Sequence, residues 1–179
     1  MTLSRPRDLD DLLNYRLMRL FAVSGAPVVR LCEGRYGIAR REWRILALLA
    51  AHGPLSPSAL ADRGDLDRAR TSRAIGSLVG KKLAQRVAQP GDGRRAVVAL
   101  TDAGRALYDE LFPQVVDINR EVLAALDGPL VAALDEALAR LTVHAAEVNR
   151  AHALDVQADR HRGGSRRVWR QTGRQTGPG

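Results

Sequence analysis

"LSPSALADRGDLDRARTSRAIGSLVGKKL", residues 55–83, opens two helices in close succession and makes the second strongly basic. Ser56 followed by Pro57 reads as an N-cap and a first helical position: the hydroxyl accepts an orphan backbone N–H, and proline has no N–H to lose. The short helix so opened runs to about Arg63 and ends at Gly64. Asp67 is a second N-cap, opening a helix to about Lys82 whose inward face is Ile75, Leu78 and Val79. With an advance of roughly 100° per residue, Arg70, Arg73, Ser77 and Lys81 fall together on the opposite face.

Downstream, "LAQRVAQ" and "RAVVALT" are short β-like runs around the turn residues "PGDG", so the basic helix leads directly into a hairpin. Thr101 then caps a long helix in which Leu107, Leu111, Val115, Ile118, Val122 and Leu126 recur every three or four residues. Pro113 is expected to bend it. Past Asp127-Gly128-Pro129, a last helix carries Leu130, Leu134, Leu138, Leu141, Ala145 and Val148. Upstream, "ARREWRILALLAAHG" puts Trp43, Leu46, Leu49 and Ala50 on one helical face and closes on Gly53-Pro54. The first helix, 9–24, has Leu9, Leu12, Leu13, Leu17, Leu20 and Phe21 at helical spacing. Gly25 and Pro27 are expected to kink or end it, with "VVRLCE" able to resume it. The stripes of the first helix and the last two have no partner within a small central domain. Burial by an identical copy satisfies them, which predicts a two-fold dimer.

Helix, short turn, helix and two-stranded ribbon is the order of a winged helix-turn-helix, whose second helix enters the major groove of DNA. Arg70 and Arg73, near the amino end of that helix, are the candidates for base reading, because a guanidinium donates two hydrogen bonds to the O6 and N7 edge of guanine. Ser77 suits a base or a phosphate, and Arg68, Ser72 and Lys81 suit backbone phosphates; Thr71 is counted with this DNA-facing set. The ribbon tip, with Arg94 and Arg95, suits the narrow minor groove, where negative potential is concentrated. Asp92 cannot bind phosphate and is expected to pair with Arg94 or a backbone N–H, fixing the tip.

Charge agrees with this placement. The formal net charge is +8, with a pI near 10.8, which favours a polyanionic partner. Residues 62–95 carry nine Lys or Arg against four acids, and residues 159–179 six Arg against one, so the basic character lies in two places. Aromatic residues are 4% of the chain, too few and too far from the basic helix for RNA binding by base stacking. A single cysteine excludes an intrachain disulfide, and the acidic start and short apolar runs predict a cytoplasmic chain without signal or membrane anchor. No Gly-rich phosphate loop, nucleophile elbow or paired acidic motif argues for an enzyme. His52, His144, His152 and His161 lack zinc-like spacing, so neither a metal nor another cofactor is expected.

Residues from about 9 to 150 resemble the MarR family of transcriptional regulators. The resemblance is carried by "YGIARREWRILALLA", by residues 55–83 as quoted, and above all by "DGRRAVVALTDAG", similar to the family's wing signature of Asp-x-Arg followed by Leu-Thr-x-x-Gly. It implies a mainly α fold with a small β-wing, acting as a homodimer on pseudo-palindromic double-stranded DNA. The implied divisions are an N-terminal dimerisation helix (1–35), a winged helix-turn-helix (36–100) and C-terminal dimerisation helices (101–158); residues 159–179, with too few apolar residues to offset ordering, read as a disordered basic tail. The resemblance also gives Asp92 and Arg94 wing-supporting and minor-groove roles. Three positions depart from the family pattern: Arg70 where a small hydroxyl residue is common, Gly64 for an apolar residue, and Lys82 for a glycine before the first wing strand.

The resemblance further implies a repressor released by a small aromatic or phenolic effector bound between the dimerisation helices and the winged helix. Arg16, Arg19, Trp43 and Arg44 are the candidate lining residues, combining a stacking surface with carboxylate-binding guanidiniums. Trp43 also reads as core and Arg44 as half of an intramolecular pair. Two other functions compete: an oxidation sensor acting through Cys32, against which stands the inert, packed thiol, and a nonspecific architectural DNA binder driven by the basic tail.

Overall fold

Both capping residues act as their chemistry predicts: Ser56 Oγ accepts the Ala59 N–H at 3.1 Å and Asp67 Oδ1 accepts the Arg70 N–H at 2.8 Å. The computed structural model describes residues 3–89 and 92–155. In order the elements are α1 (Leu13–Arg30), α2 (Arg40–His52), α3 (Pro57–Arg63), α4 (Arg68–Gly80), β1 (Ala84–Gln89), β2 (Asp92–Leu100), α5 (Asp102–Leu123) and α6 (Gly128–Asp155). The chain divides into two compact units, 1–122 and 123–179. The tail expected to be disordered from 159 lies outside the described residues.

The first helix differs from its expectation at both ends. Leu9–Asp11 form a separate 3-10 turn, and α1 passes through Gly25 and Pro27 to Arg30, where a wider turn over Leu31–Arg35 follows. Proline withdraws the N–H that would reach the Val23 carbonyl, and its ring crowds that same carbonyl. Val23 is 76% exposed, so water can serve that acceptor and the helix continues. Likewise α5 runs through Pro113 without interruption.

The core of the first unit is built from one face each of α2, α3 and α4, closed by the hairpin: Ile45, Leu46, Leu49, Leu60, Ile75, Leu78, Ala84 and Val98 are all buried in one cluster. Strands β1 and β2 are antiparallel, with Ala84 opposite Leu100 and an irregularity at Ala88/Gln89. A third short piece joins them, since Leu55, between α2 and α3, exchanges backbone hydrogen bonds with Val98 at 3.0 and 2.8 Å. That bridge ties the ribbon to the helix-turn-helix. A second cluster of Cys32, Ile38 and Leu111 packs the end of α1 against α5, and half-buried Trp43 touches both clusters.

The turn out of α4 explains the departure at Lys82. Leu83 N–H bonds to Leu78 O and Lys82 N–H to Val79 O, each at 2.9 Å, the paired pattern of a Schellman C-cap. Lys82 fills the left-handed position of that cap with φ +60°, where an L side chain costs about 1–2 kcal/mol. Lys82→Gly relieves this strain while adding about 0.5–1 kcal/mol of unfolded-state entropy. The expected net gain of roughly 0.5–1 kcal/mol raises the melting temperature by about 2 °C; a fall in thermal scans contradicts it.

Candidate nucleic-acid interface

Two faces of α4 have opposite chemistry because apolar and charged residues alternate at helical spacing. Ala74, Ile75 and Leu78 are buried, whereas Arg68, Arg70, Ser72, Arg73 and Ser77 are exposed. Thr71 corrects the expectation: it is 0% exposed, and its hydroxyl donates to Asp67 O at 2.9 Å. It belongs with Ile75 and Leu78, the face on which helical periodicity places it.

Among the exposed groups, Arg70 pairs through Nε with Asp67 Oδ2 at 3.0 Å. That contact uses one edge of the guanidinium and leaves both terminal nitrogens able to donate, so the pair orients the fork without blocking it. Arg73 has no ion-pair partner among the described residues. Together with Ser77 and Arg41 these side chains line an open groove of about 690 Å³ between α4 and the start of α2. Arg41 was not singled out from sequence; its place at the amino end of α2, in the "ARRE" run, was the available signal.

Lys81 sits differently from the other cations. Its Nζ donates to Glu42 Oε2 and to the Gly37 carbonyl, both at 2.7 Å. Burial pushes the Glu42 carboxyl up. Hydrogen bonds from Lys81, Ser77 and the Ala39 N–H, with the Lys81 charge, outweigh burial and hold it below the ordinary carboxylate value. The backbone of β2 carries Asp92, Arg94 and Arg95; their side chains, and the expected pairing of Asp92, lie outside the described residues.

A second cavity, about 290 Å³, is lined by Phe21, Val28, Arg40, Trp43 and Arg44. Trp43 stacks on Tyr108 with ring centroids 5.7 Å apart, Arg40 lies 3.9 Å above the Phe21 ring, and Arg44 donates to Gly64 O at 2.8 Å. Trp43 and Arg44 both line this cavity. Arg16 and Arg19 do not line this cavity; both reach Asp10 instead, at 2.9 and 3.2 Å. Arg40 lines it and they do not. Cys32 is buried, and burial together with Glu33 pushes its thiol pKa up, the opposite of what a peroxide-reactive thiolate needs. No helix among the described residues is long and apolar enough to cross a membrane.

A capped pair of helices with a basic outer face, followed by a hairpin bridged to it, defines a winged helix-turn-helix protein. Comparison with known proteins agrees. The MarR family sequence profile matches residues 36–95. The HTH-type transcriptional repressor NicR of Pseudomonas putida is 33% identical over 83 residues, 46% of this chain and 52% of that repressor, so the chain spans about half of its length. A probable transcriptional regulator from Pseudomonas aeruginosa has a crystal structure that superposes with a TM-score of 0.65 at 31% identity, over 75% of this chain and 99% of that one. The structure of NadR in complex with 4-hydroxyphenylacetate gives a TM-score of 0.63 at 25% identity, over 73% and 92%. The chain belongs to the MarR family, whose members are transcriptional regulators and not enzymes.

Proposed function

We propose that the protein is a cytoplasmic, sequence-specific DNA-binding regulator that acts as a homodimer on a pseudo-palindromic operator, as a repressor released by a small aromatic acid. The observation that carries the DNA reading is the division of α4 into a sealed face and a face of exposed guanidinium and hydroxyl groups. Arg70 and Arg73 read bases, while Arg68, Ser72 and Ser77 hold the adjoining backbone and the wing positions Arg94 and Arg95 enter the minor groove.

Dimerisation is supported by apolar surface that each unit leaves uncovered. No residue of α1 is buried, with Leu20 57% and Phe21 52% exposed, and on α6 Leu130, Leu134, Leu138 and Leu141 are all exposed. The effector reading is supported by the smaller cavity, where Trp43 and Phe21 offer ring faces and Arg40 and Arg44 offer partners for a carboxylate. The solved complex of NadR with 4-hydroxyphenylacetate supports the same ligand class.

Titration against a duplex selected by the protein from a random library tests the proposal. Affinity for that duplex is expected to fall about 10³–10⁵-fold between roughly 50 and 200 mM salt if six to ten phosphates are contacted. Removing residues 160–179 is expected to leave the sequence preference intact. Salt-insensitive binding contradicts the reading, and preference lost with the tail favours the architectural alternative.

A further inference from the structure

Lys81, expected from sequence to hold phosphate, turns back onto α2. It follows the last residue of α4 directly and donates to Gly37 O and to Glu42 Oε2. The same Oε2 accepts the Ala39 N–H at 2.6 Å, so one carboxylate ties the first turn of α2 to the end of α4. The Glu42 side chain is 4% exposed and that of Lys81 37%. Were Lys81 to swing out to a phosphate, Glu42 would keep a buried charge without its counter-charge, which is strongly unfavourable.

Resting on the DNA-binding reading above, we propose that Lys81 and Glu42 are positioning residues: their ion pair pins the carboxyl end of the recognition helix and sets the angle at which Arg70 and Arg73 enter the major groove. At about 1.5 Å per residue, Arg73 and Arg70 lie roughly 12 and 17 Å along the axis from Lys81. Over that lever a release of roughly 5° displaces a guanidinium by about 1–1.5 Å, enough to lose a bidentate contact. The Asp67 cap and the Thr71 hydroxyl bond lie within the first turn of α4 itself, so they turn with the helix and do not fix its angle.

The test compares Lys81→Met, Glu42→Gln, the double variant and Lys81→Arg with the wild type. Each is titrated over a range of salt against the wild-type-selected duplex and a scrambled one, and amide exchange is followed at residues 39–42 and 78–82. Lys81→Met is expected to weaken the selected duplex about 10-fold or more while leaving the scrambled duplex within about two-fold and the salt slope unchanged. Exchange at both segments accelerates, the double variant is no worse than Lys81→Met, and Lys81→Arg restores binding. If Lys81→Met weakens both duplexes alike and lowers the salt slope by about two for a dimer, Lys81 is a phosphate contact and the inference falls. Unchanged affinity for the selected duplex overturns it equally. A wild type that prefers no duplex removes the DNA reading itself, and this inference with it.

Discussion

Alanine at position 73 is expected to weaken the selected duplex by about 30-fold or more, while a scrambled duplex loses far less. A bidentate arginine–guanine contact discriminates by about 1–3 kcal/mol, and a two-fold operator presents it twice, for a total of about 2–6 kcal/mol. Arg73 is the clearest position for this measurement because its guanidinium is exposed and free of ion pairs among the described residues. The lost charge alone changes the salt slope by only about two per dimer. Arg140→Ala removes the same charge from α6, where Arg140 pairs with Glu136, and is expected to leave both duplexes unaffected. Equal losses on the two duplexes for Arg73→Ala would place Arg73 on the backbone and leave base reading to Arg70.

Gly104→Ala is expected to destabilise the protein by about 3 kcal/mol or more, lowering the melting temperature by roughly 6–12 °C. A methyl at that position would overlap the Leu83 carbonyl oxygen and stand 2.9 Å from its carbonyl carbon. Neither atom can move alone. Thr101 N–H bonds to Leu83 O at 3.2 Å, and Thr101 Oγ1 donates to Lys82 O at 2.7 Å while accepting the Gly104 N–H at 3.0 Å. The start of α5 is therefore seated against the entry to the wing by backbone contacts, and relieving the clash separates them. Gly76→Ala, where nothing lies within 4 Å, is the control, expected to stabilise α4 by up to about 1 kcal/mol. A Gly104→Ala melting curve that matches the wild type shows that the junction can widen freely.

What sequence made legible was local. Ser56, Asp67 and Thr101 were readable as caps because a cap is a relation between residues three apart, and the helices they open follow from it. The basic face of α4 followed from periodicity, which also contained the correct place of Thr71. What stayed hidden joins distant positions: Lys81 with Glu42, 39 residues apart, Arg44 with Gly64, 20 apart, and Leu55 with Val98. No local propensity encodes such partners. The same gap explains Arg16 and Arg19, whose spacing suggested a ligand cleft while the preceding turn brought Asp10 within their reach. At Pro27 the sequence left a kink, an end and a resumed helix open, since proline's penalty depends in part on whether solvent reaches a carbonyl four residues back.

The separation of α4 into sealed and open faces has a consequence for descent. Positions 70 and 73 are exposed and lie outside the buried clusters, so gene duplicates can exchange these side chains, acquire new target sequences and retain an unaltered scaffold. Divergence in what is read is thereby decoupled from divergence in how the chain folds.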